Sequence, residues 1–306
     1  MIMKKRVIAL GFFDGVHIGH AALLRRALDI GEKTGLVPSV ITLDIHPQKV
    51  TRGNDVLLIN SPEDRASIIR RVYDIEDIIF LHFNTQTVAM PWDTFIEHLS
   101  DEFGARHLIA GADFKFGSGG KGNSSLLKEK CTQLGIGCDI IPDVIYDGII
   151  SSSTYIRELL LSGDIERSNV FLGHPHVLTD VVRYGYKLGR TLGTPTINMR
   201  FPDGVLIPAH GVYATRVFLE DGTEKIGVTN IGIRPTVSDD GHVTAETHIL
   251  NFQRNLYGHK VRIEFHNRLR PEIEFNGIDE LKAQIAIDCD EVMQYFSKSE
   301  KTSPNC

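Results

Sequence analysis

Two histidines three residues apart, His17 and His20, stand in the stretch Gly11-Phe12-Phe13-Asp14-Gly15-Val16-His17-Ile18-Gly19-His20. At the start of a helix that spacing puts both rings on one side, where they can face a single phosphate. Glycines at 11, 15 and 19 let an anion approach the main chain, and a helix start offers free N–H groups and the positive end of its dipole. The same pair taken alone is equally a solvated helix face or half a metal site. A short apolar run, Val7 to Leu10, precedes the stretch. Ile18, Ala21, Ala22, Leu24, Ala27, Leu28 and Gly31 follow at helical spacing, so the elements required are strand, loop and helix.

Three further stretches of the first half carry groups suited to phosphate. Leu43-Asp44-Ile45-His46-Pro47 closes an apolar β-branched run from Val37 and delivers His46 into a loop. Ala112-Asp113-Phe114-Lys115-Phe116-Gly117-Ser118-Gly119-Gly120-Lys121-Gly122-Asn123 follows the run His107 to Gly111. By composition its second half is a flexible loop; after a strand, with its lysines, it equally suits a lid over ATP phosphates. Ser151-Ser152-Ser153-Thr154-Tyr155-Ile156-Arg157 is most simply a helix N-cap before Ile156, Leu159, Leu160 and Leu161. Free amides, hydroxyls and an arginine in a first turn also form a polyphosphate site.

These stretches resemble a known family. His17 to His20 is similar to the His-x-Gly-His signature of the nucleotidylyltransferase superfamily. With Phe-Asp-Gly before it, the segment resembles the N-terminal domain of the bacterial bifunctional riboflavin kinase/FAD synthetases. Gly111 to Gly117 resembles that family's Gly-x-Asp/Asn-Phe-x-Phe-Gly motif, and Ser152 to Arg157 the superfamily's Ser-Ser-Thr-x-x-Arg. Two departures stand out. Gly120 occupies the position of a lid arginine, with Lys121 one place later, and the family's Phe-x-Pro-His-Pro is here Leu43-Asp44-Ile45-His46-Pro47, without its first proline. In the second half, Leu188-Gly189-Arg190-x-Leu192-Gly193-Thr194-Pro195-Thr196-Ile197-Asn198, Pro208-x-x-Gly211-Val212-Tyr213-Ala214 and Asn230-Ile231-Gly232-x-Arg234-Pro235-Thr236 follow in order. Glu246-Thr247-His248 and Arg268-Leu269-Arg270-x-Glu272 complete a set that resembles the riboflavin kinase domain over nearly its whole length.

The resemblance implies phosphorylation of riboflavin to FMN in the C-terminal half and transfer of AMP from ATP to FMN, giving FAD and pyrophosphate, in the N-terminal half. It implies His17, His20 and Arg157 as catalytic groups of adenylyl transfer, with Gly11, Phe12, Asp14, Gly15, Gly19, Asp113, Ser153 and Thr154 at ATP. In the kinase it implies Glu246 as general base and Gly189, Arg190, Thr196 and Asn198 at ATP. Thr196 and Asn198 would also offer hard oxygens to Mg²⁺ riding on the phosphates. His46, Asn230, Arg234 and Arg268 are implied at the flavin. On residue type alone, 188–198 is an ordinary loop and Glu246 is equally an acid paired with Arg216 or Arg234 in a barrel wall.

Positioning these groups needs two kinds of scaffold. Through the first half, apolar runs (Val7–Leu10, Val37–Leu43, Ile78–His82, His107–Gly111, Ile140–Ile150) alternate with amphipathic segments, including one opened by Ser61-Pro62-Glu63-Asp64 and one from Pro91 to Phe103. That alternation predicts an α/β domain with a parallel sheet, Rossmann-like in plan and of the nucleotidylyltransferase kind, with ligands beyond the strand C-termini. Helical residues continue through Gly163 to about Leu172, and Gly173-His174-Pro175-His176 breaks the pattern, so the boundary is placed between residues 174 and 175. Beyond it, Val177–Arg183, Gly211–Leu219, Lys225–Gly232, Thr244–Phe252 and Lys260–His266 read as short strands, with turns at Asp221-Gly222 and Asp240-Gly241. A small β-barrel is predicted, closed by a terminal helix carrying Leu281, Ile285, Cys289, Val292 and Phe296 on one face, with Lys301 to Cys306 as a frayed tail.

The 306 residues suffice for two domains, and 42% hydrophobic with 24% charged residues is a globular composition. A net charge of −6 argues against a basic nucleic-acid footprint. Cys131, Cys138, Cys289 and Cys306 lack zinc-site spacing and read as free thiols. The N-terminal apolar segment is too short for a signal core and no later run is long enough to span a bilayer, so a cytoplasmic protein without membrane or nucleic-acid partners is expected. Nothing in the sequence speaks to oligomeric state. Two competing readings stay open: a protein with one working domain, and a flavin-binding regulator without turnover.

Overall fold

The computed structural model describes residues 4–53, 55–184, 193–233 and 243–302. Two compact units divide the chain, Met1–Ser153 and Thr154–Cys306.

In the first unit, β1 (Arg6–Leu10), β2 (Val37–Leu43), β3 (Asp77–Leu81), β4 (Ala105–Gly111) and β5 (Gly137–Ile141) form one sheet in the order β3-β2-β1-β4-β5. Every pairing is parallel. Val7 to Leu10 and Leu108 to Ala110 are buried because both faces of a parallel sheet are covered, which is why these strands read as unbroken apolar runs. The strand order reverses between β1 and β4, and a crevice for a ligand lies beyond the strand ends at such a switch. The connections include α1 (Ile18–Thr34), α2 (Pro47–Arg52), α3 (Pro62–Tyr73), α4 (Thr85–Ala89), α5 (Trp92–Asp101) and α6 (Ser124–Leu134). Caps delimit them. Ser61 accepts from Asp64 N–H at the start of α3, and α1 ends at Gly35, whose positive φ of 72° lets its N–H reach Gly31 O.

The stretch Ile140–Ile150 is not one strand. β5 ends at Ile141 before Pro142, and the rest is a two-stranded ribbon, β6 (Ile145–Tyr146) with β7 (Ile149–Ile150), reversed at Asp147-Gly148. The 112–123 loop is also more ordered than its composition suggests. Phe116 is buried among Phe95, Phe114 and the core, Phe116 and Gly122 pair across the loop, and Ser118 N–H donates to Met90 O at 2.7 Å.

Helix α7 (Ser153–Ser162) starts at the last residue of the first unit, and α8 (Ile165–Leu172) follows in the second. The single helical run expected here is broken at Gly163, whose φ of 85° is left-handed. The boundary between the units falls at the start of α7. Both helices belong with the second unit through Ala209 N–H to Leu160 O and Asn169 Nδ2 to Phe265 O.

Six antiparallel strands follow: β8 (His176–Val181), β9 (Thr196–Arg200), β10 (Gly211–Leu219), β11 (Glu224–Ile233), β12 (Val243–Ile249) and β13 (Lys260–Arg270). Their order is β8-β13-β10-β11-β12-β9, and the sheet curls so that Arg183 N–H donates to Asn198 O at 2.9 Å between its two ends. Thr215, Thr229 and Thr247 point inward as a buried hydroxyl ladder. The opposite face carries Val212, Ala214 and Val228 against Val292 and Phe296 of α9 (Ile278–Thr302). Arg270 forks onto Asp288 of α9 at 2.9 and 2.7 Å, fixing that helix on the sheet.

Candidate functional site

In the first unit the site is made by the turn after β1. Phe13 and Val16 have left-handed φ of 55° and 45°, and Gly15 has 80°, so the chain coils tightly before α1. The coil lets His17 cap the helix. Its Nδ1 accepts from Gly19 N–H at 3.2 Å and lies 3.4 Å from Ser151 Oγ. With Nδ1 accepting, the neutral ring carries its proton on Nε2 as a donor. The rings of His17 and His20 stack with centroids 3.7 Å apart and planes 25° from parallel. Gly19 is needed for this arrangement, since a Cβ there would sit 2.9 Å from His17 Cε1. Gly11 likewise leaves room for the Phe13 ring. His20 is held well below the ordinary histidine pKa, chiefly by burial and then by repulsion from His17, when that ring is protonated, and from Arg65, so it is neutral at pH 7.

Asp14 is buried at 1% exposure and faces inward: its carboxylate accepts from Ile59 N–H (2.9 Å) and Asn60 N–H (3.4 Å). It anchors the turn. Ser153 Oγ donates to Asp14 O at 2.9 Å, tying the serine cluster to the same turn. His46 caps α2 by accepting from Gln48 N–H and meets Phe12 edge-on at 4.9 Å, which brings it to the same turn. Asp113 is exposed just after β4, on the other side of the strand-order switch. Gly120 has a left-handed φ of 64°, so glycine stands there for a backbone reason as well as in place of the lid arginine. Thr154 and Arg157 continue along α7, in the second unit.

Arg65 belongs to no motif of the sequence. It sits among buried residues of α3 with Ile68 and Ile69, the places i+3 and i+4 from it, and an arginine in an apolar stripe is the one signal that could have found it. Its Nη1 donates to Thr42 Oγ1 and Leu43 O, and its guanidinium lies 4.4 Å from the Phe12 ring centroid.

In the second unit, register does the positioning. Asn198 on β9 is directly opposite Glu246 on β12, which is directly opposite Asn230 on β11. Directly opposed residues share a face, so these three side chains form one row across three strands, with Cβ atoms about 5 Å apart. Thr196, two places from Asn198, is on that face too. This is the outer face, the one α9 covers further along, because the alternate residues Ala245 and Thr247 are the fully buried ones. The 194–198 stretch that composition makes a loop is therefore a strand from Thr196, and His248 Nδ1 holds its start through Pro195 O at 2.9 Å. Asn230 Nδ2 donates to Glu272 Oε1 at 3.4 Å, while Glu272 Oε2 lies 3.5 Å from His210 Nδ1. Arg268 is bonded to His210 O and packed against Gly163 and Gly211. Arg216 pairs with Glu224 and lies over the Phe296 ring. Gly189, Arg190 and Arg234 lie outside the described residues, as does the turn at Asp240-Gly241.

Among the described residues no group of three or more His, Cys, Asp or Glu side chains is placed to hold a metal ion, and no helix is long and apolar enough to cross a membrane. Thr196 and Asn198, two places apart on one face of β9, present a hydroxyl and a carboxamide, hard oxygens of the sort Mg²⁺ takes when phosphate and water complete its shell.

Comparison with known proteins gives two family matches, FAD synthetase over residues 1–155 and riboflavin kinase over 172–296. Proteins named bifunctional riboflavin kinase/FMN adenylyltransferase align over nearly the whole chain. That of Bacillus subtilis is 35% identical, covering 97% of this chain and 94% of its own. Those of Listeria monocytogenes (33%, covering 96% and 94%) and Escherichia coli K12 (31%, covering 92% and 90%) are similar. Among solved structures, one described as a macrolide-efflux protein from Streptococcus pneumoniae superposes with a TM-score of 0.85 at 28% identity, covering 96% of this chain and 95% of that one.

Proposed function

The chain belongs to the bifunctional riboflavin kinase/FMN adenylyltransferase family, converting riboflavin to FMN and FMN to FAD with ATP, and we propose that each unit's polar cluster runs one of these reactions. One observation carries the reading: the stacked histidine pair and the Asn198–Glu246–Asn230 row fall in different compact units.

For FMN adenylylation, a phosphate oxygen of FMN attacks the α-phosphorus of ATP and pyrophosphate leaves. The nucleophile is already ionised, so no side-chain base is needed, only donors that steady charge on the α-phosphate and leaving group. His17 Nε2–H and the open amides at the start of α1 supply them. Ser153, tied to the same turn through Asp14 O, and Asp113 are assigned to ATP, as are Thr154 and, as a further cation, Arg157 on the strength of the Ser-Ser-Thr-x-x-Arg motif. His46, beside Phe12, faces the flavin substrate.

For the kinase, Glu246 takes the proton from the primary hydroxyl of riboflavin as its oxygen attacks the γ-phosphorus of ATP and ADP leaves. Thr196 and Asn198 would hold Mg²⁺, which when bound supplies positive charge to the phosphates. Asn230, fixed by Glu272, orients the flavin from the same row, and Gly189, Arg190, Arg234 and Arg268 complete the ATP and flavin contacts. Residues 1–174 are assigned to adenylylation and 175–306 to the kinase, a functional division that counts α7 and α8 with the first reaction although they pack with the second unit, in a cytoplasmic enzyme with no nucleic-acid or membrane partner.

The test is to incubate the protein with riboflavin, ATP and Mg²⁺ and resolve FMN and FAD over time, with His17→Ala and Glu246→Gln alongside. His17→Ala should stop at FMN, and Glu246→Gln should make FAD only from supplied FMN. A folded His17→Ala protein that cannot phosphorylate riboflavin would refute the division.

A further inference from the structure

Arg65 sits under the first unit's nucleotide turn, and the reactions above leave it without a role. It is fully buried, at 0% exposure. Its Nη1 reaches the end of β2, at Thr42 Oγ1 (3.0 Å) and Leu43 O (2.9 Å). Thr42 Oγ1 in turn donates to Phe12 O at 2.7 Å, and the guanidinium covers the Phe12 ring. Among the described residues Nε and Nη2 find no partner. A buried cation with unmet donors is costly to keep, which argues that it serves something besides packing.

Two titratable or charged groups act on His20: His17 stacks on it from the same helix, and Arg65 reaches it electrostatically from α3. Asp14, in the preceding turn, acts in the same way on Arg65. Asp14 is held by Ile59 and Asn60, so the acid and the cation both tie the turn to the single stretch Ile59–Arg65.

We propose that Arg65 is a positioning residue for adenylyl transfer, fixing through Phe12, Thr42 and Leu43 the turn that carries the two histidines. The inference rests on the reading that His17 and His20 serve FMN adenylylation. Burial lowers the Arg65 pKa to about 10, with Asp14 opposing the fall, so it remains charged at neutral pH. Its charge adds to burial and to His17 in depressing the His20 pKa. The sign follows. Without Arg65 that push is removed and the His20 pKa rises, so any loss of the neutral ring falls on the acidic side.

The experiment measures kcat/KM for FAD formation from FMN between pH 5.5 and 9 in the parent, Arg65→Met, Arg65→Lys and His20→Ala proteins. Riboflavin phosphorylation and thermal midpoint are read on the same preparations. Arg65→Met should move the acidic limb to higher pH, and the rate on that limb should fall about tenfold for each pH unit the limb moves. Its riboflavin phosphorylation should match the parent. Arg65→Lys keeps the charge without the fork, so its limb should stay in place while kcat falls. An Arg65→Met profile like the parent's, a rate gain at pH 6, or a loss equal at every pH that follows the unfolded fraction would overturn the proposal. If Arg65→Met does not fold, Arg65→Lys decides, and an unchanged kcat overturns it. Full FAD formation by His20→Ala would instead sink the underlying site reading, which separates the two failures.

Discussion

Replacing Gly19 by alanine isolates the geometry of the histidine pair. The new Cβ would lie 2.9 Å from His17 Cε1, 3.0 Å from its Nδ1 and 3.5 Å from Ser151 O. Carbon contacts are comfortable at about 3.5–4.0 Å, so the imidazole must retreat by roughly 0.5–1 Å. The retreat breaks the Gly19 N–H to Nδ1 bond of 3.2 Å and the 3.7 Å stack on His20. Losing that cap costs about 1 kcal/mol, and exchanging glycine for alanine in a helix returns up to about 1 kcal/mol, so stability should change little. The chemistry should not be spared. A catalytic group displaced by about 1 Å can lose roughly 10²-fold in rate, close to 2.7 kcal/mol of barrier. The assay is FAD formation from FMN at saturating ATP, beside the thermal midpoint and riboflavin phosphorylation. An unchanged FAD rate in Gly19→Ala would refute the argument that the His17 ring must sit where the glycine leaves it.

Glu246→Gln keeps the shape of the cross-strand row and removes the proposed base. Riboflavin phosphorylation should fall about 10²- to 10⁴-fold at an unchanged thermal midpoint, whereas an acid that only balances charge would give a lowered midpoint and a near-normal rate. Gly120→Arg restores the lid cation at a left-handed φ, at a cost of about 1–2 kcal/mol. It should lower the thermal midpoint without speeding adenylylation, and a faster enzyme of undiminished stability would show that the loop accommodates the side chain. Asp288→Asn leaves Arg270 without its forked carboxylate beneath α9, and unfolding should show a loss of about 3 kcal/mol, a smaller loss meaning that Gln284 and water replace the acid.

The histidine turn is legible in the sequence because each of its requirements has a residue signature: glycine where φ is positive, histidine at the cap, an apolar strand before and an amphipathic helix after. β9 is not, because Thr-Pro-Thr-Ile-Asn has loop composition, and only the ladder from β12 makes its last three residues a strand. The break at Gly163 is hidden by helical periodicity on both sides, and a glycine within such a pattern does not declare a left-handed φ. α6, not expected from the sequence, does carry signals, an Asn123 cap accepting from Leu126 N–H and a Gly135 stop with φ of 67°, obscured by the glycine-rich stretch before it. Arg65 stays inconspicuous because helix-start signals at Ser61–Asp64 account for the surrounding residues, and its burial depends on β2 and the turn after β1, distant in sequence.

Asn198 stands at two places at once in the second unit. Its side chain belongs to the row with Glu246, while its main-chain oxygen receives the Arg183 N–H where the ends of the curled sheet meet. Among the described residues that meeting is a single ladder bridge. Solvent reaches such an amide by brief local opening, without global unfolding. On the proposed role of Asn198, nucleotide that grips its side chain should lengthen the exchange lifetime of a proton it does not touch. Deuterium uptake at Arg183 would then act as a clock for occupancy of the kinase site, running slower as ATP fills it.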